Sequence, residues 1–328
     1  MLPIFPKFRL MIKIFKAVLI IFSLLISPIF PLEISSQVFF DLNMSSQKGV
    51  YSAFHLRRAY LNFTEKISDE LSFRLTTDAG TSTIDGRINV FIKMANITWN
   101  TPIGSFIIGP QSTNYFGPNK KTWGYRFIEK FPGHLYDFSQ SADLGVSWKK
   151  YFNQFFIHLA AYNGTGFKKP DNDRHKRISL LVSQGEQNLL VNSGRNWGGI
   201  FSFEPYSANS NKVSMVYRLG GFAGYSKKSL RLGYEFHLEH DEGLNHQERI
   251  LAFYGNISKT EKFSLLGRVD IYQSSVGHPE MRKNILLMGL SYNPSSNFQI
   301  SPNVRYIIYN TNMLEPYWVG RLSFNYEF

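Results

Sequence analysis

The 328-residue chain is 43% apolar and 18% charged, a balance too rich in apolar residues for a disordered polypeptide. Aromatics make up 16%, chiefly 29 Phe and 18 Tyr, which suits β-strands and membrane interfaces better than water-soluble helices. No cysteine is present, so disulfides, thiolate metal sites, iron–sulfur clusters and cysteine nucleophiles are excluded. The formal charge of +12 comes from 36 basic and 24 acidic residues, and its meaning depends on where the bases lie.

The first element is an expected secretory signal peptide at residues 1–34. Lys7, Arg9, Lys13 and Lys16 precede the uncharged apolar run Ala17 to Ile26, and Pro28 and Pro31 break any continuation. A run of roughly ten residues is about half of what a membrane-spanning helix needs. The cut is placed between Pro31 and Gln37. Loss of those four bases would leave +8 of the +12. Residues 35–328 are then expected to form a single domain.

That domain reads as stretches of about ten residues in which apolar and polar side chains alternate, separated by turn formers. In Leu230 to Glu239 one face carries Leu, Leu, Tyr, Phe and Leu and the other Arg, Gly, Glu, His and Glu. In the last segment Trp318, Gly320, Leu322, Phe324, Tyr326 and Phe328 share one face, and Val319, Arg321, Ser323, Asn325 and Glu327 the other. Leu71 to Asp78, Asp143 to Lys149, Val213 to Leu219 and Phe263 to Ile271 alternate in the same way. Strands of this length match a tilted crossing of the hydrocarbon layer, whereas those of a soluble sandwich are usually shorter. Tyr51, Trp99, Trp148, Tyr162, Tyr225, Tyr292 and Trp318 near strand ends suggest the two aromatic girdles of a membrane barrel. The expected fold class is all-β, a transmembrane antiparallel up-and-down β-barrel.

Brief turns are expected at Glu65–Glu70, Asn100–Gly104, Lys150–Asn153, Ser226–Ser229, Ser258–Lys262 and Asn293–Asn297. Longer loops are expected at Ser45–Gly49, Asp78–Arg87, Ser112–Ala142, Asn163–Asn192, Asp241–His246, Ser274–Arg282 and Asn310–Glu315. Fifteen strands can be counted where a closed barrel of this type wants an even number. The missed or split strand lies around Arg218 to Tyr225 or Arg177 to Val191, which makes sixteen the expected number and fourteen the alternative.

Several segments, in order, carry a resemblance. They are Phe54-His55-Leu56-Arg57-Arg58-Ala59-Tyr60-Leu61, Phe73-Arg74-Leu75 leading to Asp78, and Gly109-Pro110-Gln111 before Phe116. Arg126-Phe127-Ile128-Glu129-Lys130, Asp143-Leu144-Gly145-Val146 and Asn163-Gly164-Thr165-Gly166 follow. This third of the chain resembles the phosphate-selective porin O/P family. The resemblance implies a homotrimeric, sixteen-stranded barrel in the outer membrane of a Gram-negative-type bacterium. It also implies a water-filled channel for small solutes, narrowed by inward-folded loops and lined by arginines that favour phosphate-like or other small anions.

Strand parity places the bases independently. Arg74, Arg218, Arg231, Arg268, Arg305 and Arg321 fall in the polar sets of their strands. A lipid-facing Arg at the bilayer midplane costs roughly 2–4 kcal/mol, so these six are expected to face the lumen. Arg58 goes with Asn62 and Thr64, whereas Arg57 falls with Leu61 and Phe63, a position that a bulge, a subunit interface or the girdle level can accommodate; the resemblance assigns the pair to the constriction. Lys120, Lys121, Arg126 and Lys130 lie in 112–142, which the resemblance implies folds into the pore. These twelve bases are the candidate pore-lining, anion-attracting set. The competing reading pairs them with Asp78, Asp85, Asp143, Glu235, Glu239 and Asp270, leaving a nearly neutral field.

No catalytic or cofactor site is expected, so the chain reads as a non-enzyme. His237 and His240 fall on opposite strand faces and do not form a metal site. Asn163 to Gly166 lacks the Lys of a phosphate-binding P-loop. Strand-confined arginines behind a signal peptide argue against nucleic acid. No Ser, His and orienting group cluster on one wall as a barrel-embedded hydrolase requires. A non-conducting structural or adhesive barrel is the main alternative, although about sixteen strands leave an aqueous channel.

Overall fold

A computed structural model describes residues 32–47, 49–81, 87–171, 174–208, 212–311 and 313–328. The proposed leader at 1–34 falls almost wholly outside the described residues, as does Asp85. The strands are β1 (Glu33–Ser45), β2 (Ala53–Lys66), β3 (Leu71–Thr81), β4 (Ile88–Thr101), β5 (Gly104–Ser112), β6 (Ala142–Phe152), β7 (Phe155–Tyr162) and β8 (Arg177–Gly185). They continue as β9 (Gly194–Ala208), β10 (Lys212–Lys227), β11 (Leu230–Asp241), β12 (His246–Ser258), β13 (Phe263–Gln273), β14 (Arg282–Ser295), β15 (Phe298–Tyr309) and β16 (Tyr317–Glu327). Each pairs antiparallel with its sequence neighbours, and β1 pairs with β16 to close a sixteen-stranded barrel. Closure leaves no unpaired sheet edge, which is what permits strands to cross hydrocarbon. The strand missing from the sequence count is β8, inside the stretch 163–192 read as one loop.

Short connections gather at one end, at residues 102–103, 153–154, 228–229 and 296–297, and the opposite end carries the long segments 113–141 and 163–176. We call these the turn end and the loop end. Alternation along each strand sorts side chains between two environments. On β13, Ser264, Leu266, Arg268 and Asp270 are buried inward while Phe263, Leu265 and Val269 are exposed outward; on β15, Ser301, Asn303, Arg305 and Ile307 alternate with Val304, Tyr306 and Ile308. The outward face is thus a band of large apolar side chains and the inward face is polar. Aromatic contacts ring the turn end. Phe263 stacks on Tyr292 with centroids 4.6 Å apart, Phe40 stacks on Phe324 at 4.6 Å, and Trp99 meets Phe106 at 6.0 Å. Tyr162, expected in a girdle, points inward and is buried.

Among the described residues the register shifts at three places, between β14 and β15 at Tyr292/Ser295 and at two bulges that carry bases. Between β1 and β2, Phe39 pairs with Arg58 and the next pair is Phe40 with Leu56, so Arg57 is the extra residue. Between β3 and β4, Thr76 pairs with Met94 and Thr77 with Ile92, so Lys93 is the extra residue. A bulge lets two successive side chains turn to the same face. Arg57 and Arg58 both face the lumen, as do Lys93 and Met94.

Candidate functional site

The segment 113–141 contains two short helices, α1 (Pro118–Trp123) and α2 (Pro132–Leu135), each opened by a proline in its first turn. Gly124 ends α1 in the left-handed region at φ 75°, where its N–H donates to the Lys120 carbonyl at 3.0 Å. The segment is tied to the wall on many sides. Asn114 donates to the His158 carbonyl on β7 at 3.3 Å, and Asn119 donates to Glu235 on β11 at 3.2 Å. Tyr136 donates to Asp270 on β13 at 3.2 Å, and Arg126 donates to Tyr60 on β2 at 2.6 Å. Three strand arginines donate to its backbone carbonyls: Arg231 to Trp123 at 3.3 Å, Arg268 to Lys130 at 2.6 Å and Arg305 to Ile128 at 2.7 Å. Partners on strands all round the barrel place this segment within the lumen. Apolar packing seats it mainly against strands between β8 and β14, with Phe39 on β1 and Tyr60 on β2 joining one cluster. Trp123, Ile128 and Phe131 pack with Tyr254, Leu266 and Leu287, while Tyr115 and Phe138 pack with Leu181, Ile200 and Ile250.

Space remains beside β1–β4. A cavity of about 430 Å³ on the loop side is lined by His55, Arg57, Arg58, Arg126, Lys130 and Lys168, together with Phe39, Asn43, Leu56 and Phe127. A second of about 110 Å³ on the turn side is lined by Arg74, Lys93, Lys120 and Arg126, with Gln37, Tyr60, Asn62, Thr76, Met94, Ser112 and Phe116. Arg126 belongs to both, and its guanidinium lies over the rings of Tyr60 and Phe116, 5.4 and 5.3 Å from their centroids. No carboxylate lines either cavity among the described residues.

The acids that neutralise the lumen sit behind these walls. Asp41, fully buried, faces His55 at 3.4 Å, Arg57 at 3.6 Å and Arg321 at 3.9 Å. Glu129 meets Arg305 at 2.5 Å, Arg321 at 3.8 Å and Arg57 at 3.9 Å. Asp78 is shared by Arg58 at 3.2 Å and Lys93 at 3.4 Å. Arg177, Arg218, Glu204 and Glu239 form a closed set of two bases and two acids, and Arg268 pairs with Asp270 at 2.6 Å. Among the described residues no carboxylate lies within ion-pair distance of Arg74, Lys120, Arg126, Lys130 or Lys168. Burial raises the Glu129 carboxyl, but Arg305, Arg321, Arg57 and Arg268 overcome it and hold the group at about 2. Burial, with Arg126 and Lys93 alongside, brings the Lys120 ammonium down to about 7.

No family model matches the sequence, and no curated protein matches it. Solved structures do. OmpT, an outer membrane protein of Vibrio cholerae, is 13% identical and superposes with a TM-score of 0.64 over 90% of this chain and 97% of its own. An anion-selective porin from Comamonas acidovorans is 9% identical, with a TM-score of 0.63 over 91% and 99%. The outer membrane channel DcaP of Acinetobacter baumannii is 11% identical, with a TM-score of 0.64 over 90% and 97%. The fold is the one these outer-membrane proteins share. Identity this low carries the architecture alone.

Within that fold the twelve candidate bases divide. Arg57, Arg58, Arg74, Lys120, Arg126 and Lys130 line the two cavities beside β1–β4. Lys121, next to Lys120 on α1, lines a separate turn-side cavity. Arg218, Arg231, Arg268, Arg305 and Arg321 are inward on their strands but stand where the segment 113–141 covers the wall, and three of them hold its carbonyls. Sequence reasoning missed Lys93, whose bulge hides its parity, and Lys168, which lies in the stretch read as loop. It also missed Asp41, Glu129 and Glu204 as partners of the bases. Inward parity was a signal for Asp41, which alternates with Phe40 and Leu42.

Proposed function

We propose that this chain is an outer-membrane porin that passes small solutes by passive diffusion and prefers anions. The observation that carries this reading is the set of cations with no carboxylate within ion-pair distance among the described residues, Arg74, Lys120, Arg126, Lys130 and Lys168, around two cavities that share Arg126. A fixed positive charge in a narrow passage with low-dielectric walls concentrates anions and repels cations more strongly than the same charge in bulk water. Arginine keeps its charge at any physiological pH, and the ring faces of Tyr60 and Phe116 hold that of Arg126 in place.

The reading includes export by the leader at residues 1–34, insertion into the outer membrane of a Gram-negative-type bacterium and assembly as a homotrimer. The ordered motifs between Ala53 and Gly166 support kinship with the phosphate-selective porin O/P family. The anion-selective porin from Comamonas acidovorans with the same fold is consistent with the charge preference. Single-channel recording in planar bilayers tests conduction: stepwise, ohmic current is expected, and a folded protein that inserts without current would overturn the reading in favour of a structural barrel.

A further inference from the structure

The helix α1 divides the turn side of the lumen in two. Lys120 faces the cavity that contains Arg126, and the next residue, Lys121, faces another of about 210 Å³ against β6–β8. At roughly 30 Å³ per water, that space holds about seven waters or an organic molecule of comparable size. It is blind toward the loop end. Asn114, which donates to the His158 carbonyl and accepts from Ser179 Oγ at 2.7 Å, stitches the inner segment to β7 and β8 over the pocket, and Leu181 is fully buried beside it.

Three features of the lining point to a ligand. Lys149 and His158 are directly opposed register partners on β6 and β7. With Lys121 they supply two ammonium groups and an imidazole, and no carboxylate lines the pocket among the described residues. The His158 ring is only 4% exposed, and its Nε2 has no hydrogen-bond partner among those residues, an unmet requirement that a bound polar group would satisfy. Phe116, Phe156 and Leu181 form the apolar part of the remaining wall, beside the uncharged polar side chains of Ser112, Thr113, Asn114, Tyr151 and Gln187.

We infer that this pocket is a binding site, separate from the passage through Arg126, for a small organic carboxylate that enters from the turn side. The carboxylate sits between Lys121 and Lys149 with an oxygen accepting from His158 Nε2–H, and the hydrocarbon body lies on Phe156 and Leu181. A fully hydrated inorganic anion would gain the charge contacts and nothing from the apolar wall, so an aliphatic or aromatic carboxylate is the favoured class.

The test is calorimetric titration of the folded protein in detergent micelles with benzoate, its neutral analogue benzyl alcohol, and inorganic phosphate. Benzoate is expected to bind saturably, with benzyl alcohol and phosphate each weaker by about tenfold or more. Lys149→Gln and Lys121→Gln should each weaken benzoate by about tenfold, whereas Arg126→Gln should leave it unchanged. Lys121 is exposed on α1, so its variant keeps the test valid if Lys149→Gln disturbs the wall. Absence of saturable benzoate binding, equal binding of phosphate, or loss in Arg126→Gln with retention in Lys149→Gln would overturn the assignment. Binding is measured without a membrane, so its outcome is separable from whether the barrel conducts.

Discussion

Arg305 Nη1 lies 2.5 Å from Glu129 Oε2, joining β15 to the segment that crosses the lumen. The same guanidinium donates through Nη2 to the Ile128 carbonyl at 2.7 Å. Arg305 is 6% exposed and Glu129 likewise. The bond holds a charged segment against a wall from which water is largely excluded. Glu129 also faces Arg57 and Arg321, so one carboxylate serves three arginines.

Removing that carboxylate while keeping its shape should therefore loosen the segment. Glu129→Gln leaves buried Arg305 without its counter-charge, while Arg57 and Arg321 keep Asp41, and breaking a buried pair from one side costs about 3–5 kcal/mol. The expected outcome is faster amide hydrogen exchange at residues 125–131 with the barrel strands still protected. Unchanged exchange there would contradict the anchoring role.

Acid should do the same reversibly. The Glu129 carboxyl is held at about 2 in the folded protein, below the ordinary range near 4.3. A depressed carboxylate contributes stability that is present above its unfolded value and lost as pH falls through the folded one. Single-channel current is expected to stay steady from pH 7 to about pH 4.5 and to become noisy as pH falls toward 2. Glu129→Gln should be noisy already at pH 7.

Charge preference should depend on pH near neutrality through Lys120, whose ammonium is brought down to about 7 by burial and by its cationic neighbours. Below that value it adds a positive charge to the turn-side cavity, and above it the charge is lost. Anion preference measured from zero-current potentials is expected to be higher at pH 6 than at pH 8. Lys120→Gln should show the pH 8 preference at both values.

Two arginines of equal formal charge should behave differently. Arg126 is shared by both cavities and has no carboxylate within ion-pair distance among the described residues, whereas Arg218 is neutralised by Glu204 at 2.7 Å and by Glu239. Arg126→Gln should lower the anion-to-cation permeability ratio by about 25-fold, because roughly 1 kcal/mol between unit charges 4 Å apart in water attracts the anion and repels the cation, about fivefold each. Arg218→Gln should change the ratio little while lowering thermal stability. Equal effects on the ratio would show that the paired bases also act in the passage.

The barrel was legible in the sequence because period-two alternation is a direct consequence of strand geometry. Its failures have local causes. In β8, Leu180, Leu181 and Val182 run together because Leu181 faces an apolar filling rather than water, so alternation is blurred and the strand reads as loop. Arg57 and Lys93 lie at bulges, where counting by two assigns the wrong face. The inward faces of Arg231, Arg268 and Arg305 were readable, but the filling of the lumen against them depends on contacts between residues more than a hundred positions apart. Charge compensation was hidden for the same reason: Asp41, Glu129 and Glu204 meet bases from other strands, and spacing along the chain does not reveal those meetings.

The central claim, that unpaired cations set the passage, is tested most directly by the zero-current potential of the wild-type channel in a planar bilayer under a KCl gradient. A potential with the sign and approach to the chloride equilibrium potential is predicted. A potential near zero, or one toward potassium, would contradict it.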